Sequence, residues 1–315
     1  MTERRKIGNS GLEVSPLNLG GNVFGWTADR EQSFAVLDAY FAGGGNFVDT
    51  ADSYSAWVAG NVGGESESII GEWMASRDNR SEVIVATKVG AHAQLKGLAP
   101  ETIARAADAS LTRLGTHYID LYYTHFDDES VPVERIITAL DALVRAGKVR
   151  AIGASNISPA RLEASLKFSE REGLARYDAL QPHYNLVSRD TYEGERERIA
   201  QRYGLGVMPY YALASGFLTG KYRLDTAPVL SPRAARAATY LESERGRNVL
   251  AALDEVAAAH EVEVATVALS WLAAQPTVVA PVASARTVAQ LPALLAVETF
   301  RLTDPEVASL TRASE

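Results

Sequence analysis

Along most of the chain, short apolar runs alternate with longer stretches in which apolar residues recur every three to four positions. The runs Leu17–Gly21, Phe47–Thr50, Val83–Lys88, Ile119–Thr124, Val149–Ala154, Ala179–Pro182, Leu205–Tyr210 and Thr277–Val282 read as strands. Between them lie helical patterns with recognisable starts and stops. "DREQSFAVLDAYFA" opens on Asp29, a good N-cap. "APETIARAADASLTRLG" has Pro100 near its start and Gly115 at its end, and "PVERIITALDALVRAGK" stops at Gly147. Ahead of the first run, "RKIGNSGLEVS" predicts a hairpin turning at Asn9, Ser10 and Gly11. Arg223–Arg245 lacks a clear period and predicts a long loop over one end of the molecule.

Eight strands, each followed by helical material, predict a (β/α)8 TIM barrel with long loops over its C-terminal face. An open doubly wound sheet is the alternative. It would be expected to carry Gly-x-Gly-x-x-Gly at a strand-to-helix turn, and no such turn is present. No linker or shift in composition divides the chain, so residues 1–315 read as one domain. Val264 to Ala285 contains no charged residue, but Gln275, Pro276 and Pro281 interrupt it. It predicts a buried helix, a turn and a short strand rather than a membrane span.

Composition narrows the partners. A formal net charge of −8 over 315 residues argues against nucleic acid or an anionic membrane as the main partner. The chain has no cysteine, which removes disulfides, thiol catalysis and Cys-ligated metals, and no metal site is expected. "MTERRKIGNSG" lacks the apolar run of a signal peptide, so the expected location is cytoplasmic. Oligomeric state is not legible.

The unusual polar residues gather at strand ends, which converge on one mouth in a barrel. Asp49 and Tyr54 follow the second strand, Lys88 closes the third and His125 follows the fourth. Ser155 and Asn156 follow the fifth, Gln181 closes the sixth and Tyr210 the seventh. A phenol is a poor acid near neutral pH unless a cation lowers its pKa. Lys88 is a candidate for that cation, with Asp49 to hold it and His125 to share a substrate oxygen with Tyr54. The pattern suits protonation of a carbonyl that becomes an alkoxide. Taken singly, Asp49–Lys88 reads equally as a structural ion pair, Tyr54 as packing and His125 as a structural histidine. Asp52 reads as a solvated turn residue.

"FVDTADSY", "VATKVG", "YYTHFDD", "GKVRAIGASN" and "YYALASGFLTGKY" resemble the aldo-keto reductases, from "GNSGLEVSPLNLGG" to "TVVAPVASARTVAQL". The resemblance implies a (β/α)8 barrel that reduces aldehydes or ketones, with sugars among the candidates, using NADPH in preference to NADH. It assigns Tyr54 as general acid, with Lys88, Asp49 and His125 completing a tetrad. Ser155, Asn156 and Gln181 are implied to hold the carboxamide, and Tyr210 to stack on the nicotinamide. The stretch containing Leu213, Gly216, Leu218 and Lys221 is implied to meet the pyrophosphate. Arg286 and Gln290 are implied at the 2′-phosphate and adenine, and Arg233 as a further cation.

Departures stand at Tyr211 and Ala212, where Ser-Pro is usual, and at Ser284 and Leu294 near the adenosine end. Trp26, Trp57 and Phe126 are candidates for an apolar or sugar-stacking substrate wall. Two competing functions share the barrel: a cofactor-binding regulatory subunit and a Schiff-base aldolase at Lys88. The retained His125 argues against the first, and a lysine kept protonated beside Asp49 argues against the second. The stretch Gly216–Lys221 is one residue short of a P-loop and lacks the following Ser or Thr.

Overall fold

The computed structural model describes residues 3–223 and 231–315. A hairpin, β1 (Arg5–Lys6) and β2 (Glu13–Val14), precedes the main sheet. The sheet strands are β3 (Asn18–Gly20), β4 (Phe47–Asp49), β5 (Ile84–Val89), β8 (Ile119–Thr124), β9 (Val149–Ser155), β10 (Tyr177–Gln181), β11 (Gly206–Val207) and β12 (Val282–Ala283). All pair in parallel, in the order β11-β10-β9-β8-β5-β4-β3-β12. A parallel bridge between Val207 and Val278 joins the two ends of that order. Val207 N–H donates to the Thr277 carbonyl and Val279 N–H to the Val207 carbonyl, each at 2.9 Å. The sheet is therefore a closed (β/α)8 barrel.

Helices α1 (Arg30–Ala42), α2 (Glu65–Arg77), α3 (Pro100–Leu114), α4 (Val133–Arg145), α5 (Pro159–Glu172), α6 (Glu195–Tyr203), α8 (Glu244–His260) and α9 (Val264–Ala273) account for most of the helical material. Their ends follow the residues that predicted them. The Asp29 carboxylate accepts from Gln32 N–H at 2.9 Å while the Gln32 side chain takes the Asp29 N–H, a closed capping box. Gly115 ends α3 in the left-handed conformation, with φ 61°.

Several expectations need correction. Arg223–Arg245 is not a long loop where it is described: it contains α7 (Ala234–Glu242) and the start of α8, while residues 224–230 lie outside the described residues. Arg236 over the Tyr211 ring, at 4.5 Å, anchors α7 to the barrel mouth, a tertiary contact that periodicity cannot reveal. The seventh strand shrinks to two residues, and the last pairs at Val282–Ala283. A small antiparallel pair, β6 (Ala91–His92) and β7 (Leu95–Lys96), was not anticipated. Two short helices, α10 (Leu291–Leu295) and α11 (Asp304–Ala313), finish the chain. Among the described residues, no single helix is long and apolar enough to cross a membrane.

The core has two parts. One lies between the sheet and its helices. The smaller fills the barrel, with Phe47, Ala86, Leu121, Tyr123, Ala151, Ala179 and Met208 packed on Ile7, Leu12 and Val14 of the hairpin. The hairpin thus plugs the end opposite the catalytic mouth. Inside, Gly153 makes room for the Tyr123 ring: a β-carbon there would lie 2.5 Å from the ring and 3.0 Å from Ala179 Cβ. Gly153→Ala is expected to lose about 1–3 kcal/mol of stability by overpacking, read as a lower urea midpoint.

Candidate active site

Side chains alternate along a strand, so residues two apart share a face. Asp49 follows Phe47, Lys88 follows Ala86 and Gln181 follows Ala179, each one step above an apolar member of the barrel interior. The interior is therefore apolar below and polar at the mouth. Asp49 and Lys88 are each about 1% exposed, and Lys88 Nζ donates to Asp49 Oδ2 at 2.6 Å. It also donates to the Thr50 carbonyl at 2.8 Å and to Tyr54 Oη at 3.0 Å, which uses all three of its N–H donors. Asp49 Oδ1 accepts from Gln181 Nε2 at 2.7 Å, and Tyr54 O–H donates to Asp49 Oδ2 at 3.3 Å.

The His125 ring centre lies 6.0 Å from that of Tyr54, so the four expected residues meet at one place. Burial, with Lys88 adding to it, holds the His125 imidazole down at about 3, so it is neutral at ordinary pH. Burial also pulls the Lys88 ammonium below its usual value, against Asp49. Burial first and Asp49 second push the Tyr54 hydroxyl well above the ordinary phenol value. In this state Tyr54 keeps its proton.

Above the tetrad opens a cavity of about 860 Å³, within the range of small-molecule sites. Asp49, Tyr54 and His125 line it, while Lys88 lies behind them. Ser155, Asn156, Gln181, Tyr210, Leu213, Gly216, Lys221, Arg286 and Gln290 all border it, as do Trp26, Trp57 and Phe126. Leu218 does not: its side chain is fully buried in the outer core and its N–H bonds the Leu213 carbonyl.

The five mouth rings form an arc. Successive centroids run Trp26–Trp57 5.5 Å, Trp57–Tyr54 6.2 Å, Tyr54–His125 6.0 Å and His125–Phe126 4.7 Å. Trp57 and Phe126 remain about half exposed, at 52% and 51%.

The floor on the other side is built from amides and strained backbone. Tyr210 O–H donates to Asn156 Oδ1 at 2.7 Å, and Asn156 Nδ2 donates to the His125 carbonyl at 2.8 Å. Ser155 O–H donates to the Gln181 carbonyl at 2.8 Å. Asn156, Tyr211, Ala214 and Ser215 all have positive φ, between 47° and 60°, which costs energy outside glycine and clusters at ligand sites. Gly216 has φ 92°, and a β-carbon there would sit 3.3 Å from Lys221 Nζ.

Three cations, Lys221, Arg233 and Arg286, face this cavity although the chain carries a net charge of −8. Burial and Arg286 pull the Arg233 guanidinium below its usual value, and its ring partner is Trp26, at 5.4 Å. Gathered like charges beside a strained loop fit a polyanionic dinucleotide. Arg286 is placed by its own N–H, which donates to Gln290 Oε1 at 2.8 Å.

Several contributors escaped the sequence reading. His183 stacks on Tyr210 with centroids 5.5 Å apart and planes 21° apart. Its position just beyond the end of the sixth strand, two residues after Gln181, was the available signal. Glu67 pairs with Arg113 at 2.6 Å and accepts from Thr87 O–H at 2.5 Å. Asp52 is not solvated: it is fully buried, and burial followed by Glu67 pushes its carboxyl up to about 7. It sits in a turn by sequence, but the turn folds inward against β5.

A closed parallel barrel with its polar groups and a large cavity at one mouth is an enzyme scaffold of the (β/α)8 class. A profile of the Aldo/keto reductase family matches residues 16–315, and the chain belongs to that family. Norsolorinic acid reductase B of Aspergillus parasiticus is 32% identical over 96% of this chain and 82% of its own length. Norsolorinic acid reductase stcV of Emericella nidulans is 36% identical over 95% and 78%. Protein tas of Escherichia coli is 31% identical over 91% and 90%. The protein is accordingly an NAD(P)H-dependent oxidoreductase that acts on small carbonyl compounds. Its half-buried, neutral His125 should show no protonation midpoint between pH 5 and 8 when its ring resonances are followed by NMR.

Proposed function

We propose that this protein is an NADPH-dependent reductase of aldehydes and ketones in which Tyr54 delivers the proton. The observation that carries this reading is the placement of Tyr54 Oη at the cavity, bonded by Lys88 Nζ at 3.0 Å from behind. When bound, the reduced nicotinamide supplies the hydride. The chain does the rest.

A carbonyl oxygen lying between Tyr54 Oη and the His125 ring would draw the Tyr54 O–H away from Asp49 Oδ2, where it rests at only 3.3 Å. As negative charge grows on that oxygen, the phenol releases its proton, and the Lys88 ammonium stabilises the phenolate left behind. Asp49, anchored by Gln181, keeps Lys88 aimed. His125, its pKa held down at about 3 and its ring therefore neutral at ordinary pH, can donate a hydrogen bond without competing as an acid. Tyr210 and Asn156 offer a flat face and an amide for the nicotinamide end. Lys221, Arg233 and Arg286 offer charge for the phosphates.

The preference for NADPH rests on Arg286, whose planar fork suits a 2′-phosphate. For substrate, the aromatic arc favours a carbonyl carried on a flat apolar or ring-shaped body. Two relatives are named as norsolorinic acid reductases, in keeping with a reductase reading.

Tyr54→Phe is expected to lower kcat by about 10²–10⁴-fold with NADPH affinity little changed. Turnover is followed by NADPH oxidation against a panel of aldehydes, ketones, sugars and quinones, and normal turnover in this variant would remove Tyr54 as the acid. Arg286→Ala is expected to weaken NADPH by about 10- to 100-fold, as for a lost charged hydrogen bond, and NADH far less. Equal losses in a fluorescence titration would remove Arg286 from the 2′-phosphate.

A further inference from the structure

Asp52 stands three residues after Asp49 and two before Tyr54, and it faces away from the cavity. It touches the strand that carries Lys88 twice. Its backbone N–H donates to the Lys88 carbonyl at 3.2 Å, and its Oδ2 accepts from Gly90 N–H at 3.3 Å. Thr50 N–H adds a bond to the Ala86 carbonyl at 2.8 Å, so the turn lies along the end of β5.

Directly after Tyr54, Ser55 is held at φ 70° and donates its hydroxyl to the Phe24 carbonyl at 2.7 Å. A non-glycine residue in that region persists only when its surroundings over-determine it. Tyr54 is therefore suspended between two anchors, Asp52 on the strand side and Ser55 on the loop side.

The surroundings of Asp52 are unusual for a carboxylate. It is fully buried, as is Glu67, and its Oδ1 has no hydrogen-bond partner among the described residues. Arg113 and Thr87 already occupy Glu67. Lys88 spends its donors on Asp49, Thr50 and Tyr54. Tyr122, whose hydroxyl is buried, and His92 complete the polar groups around it. A buried acid with no cation of its own is costly unless its remaining contacts earn their place through geometry.

We propose that Asp52 is a positioning residue for proton transfer: it ties the turn bearing Tyr54 to the strand end bearing Lys88 and so sets the spacing of that pair. The inference rests on the reductase reading above. It acts through Tyr54 and touches neither substrate nor cofactor. A displacement of about 1 Å in a catalytic group can cost about 100-fold in rate, and the Tyr54–Lys88 contact of 3.0 Å leaves little slack.

The test compares Asp52→Ala and Asp52→Asn with the wild type. Asp52→Ala is expected to lose about 100-fold in kcat, while NADPH affinity and the substrate KM stay near wild type. Asp52→Asn, whose carbonyl still accepts the Gly90 N–H, is expected to keep most of its kcat. Wild-type kcat in cofactor-saturated Asp52→Ala overturns the proposal, and so does an equal loss in Asp52→Asn. If Asp52→Ala does not fold, Asp52→Ser, too short to reach Gly90, takes its place with the same criteria.

A crystal structure of the shortened variant decides the point independently of activity. Separation of Tyr54 Oη from Lys88 Nζ beyond hydrogen-bonding distance supports the proposal, and an unchanged contact overturns it. A wild type that reduces no carbonyl defeats the reductase reading alone, because the measured separation still decides the role of Asp52.

Discussion

The Asp49–Lys88 ion pair organises the mouth of this barrel. Two charges that are each about 1% exposed sit 2.6 Å apart, where neither has water to solvate it. Taking such a pair out of water is tolerable only if each remaining lone pair and proton finds a partner. Here each does: the Thr50 carbonyl and Tyr54 take the other Lys88 protons, and Gln181 takes the second Asp49 oxygen. Removing one member of a buried pair typically costs about 3–5 kcal/mol. The same bonds that make the pair tolerable also fix Tyr54 and Gln181, so stability and chemistry share one network.

That network explains the separation of labour between two faces of the same turn. Asp49 looks into the cavity, and Asp52 looks away from it toward Glu67 and Gly90. One carboxylate keeps a cation in place beside the reacting centre. The other, raised to about 7 by burial and Glu67, accepts a hydrogen bond from Gly90 N–H on the far side of the turn. The cofactor side is built on a different principle. Positive φ at Tyr211, Ala214 and Ser215 stores backbone strain where Lys221 and Arg233, in no ion pair among the described residues, bring positive charge. Both costs fall on the region where an anion would repay them.

Much of the site was legible because a barrel turns strand ends into neighbours. Asp49, Tyr54, Lys88, His125, Asn156, Gln181 and Tyr210 lie far apart in sequence, yet each follows or closes an apolar run. Once the strand count gave a barrel, their convergence followed. The misreadings share a cause. Asp52 looked solvated because a polar residue in a turn usually is, and nothing local says that this turn packs against Gly90. Residues 234–242 looked irregular because their helix is pinned from outside, by Arg236 on Tyr211. Leu218 was expected at the pyrophosphate through the backbone of its segment, and the structure adds only that its side chain fills the core.

By itself the sequence determined which residues could meet and which chemistry they could share, because period, caps and strand ends are properties of the local chain. Their places at the ends of apolar runs put Asp49, Lys88 and Gln181 at one mouth. The tertiary structure decided their protonation and their order of contact. Burial is a property of the whole packed molecule, and it pushes Tyr54 up, His125 down to about 3 and Asp52 up to about 7. A charge in a turn and the same charge under a helix read identically in the sequence; only the surrounding atoms distinguish them.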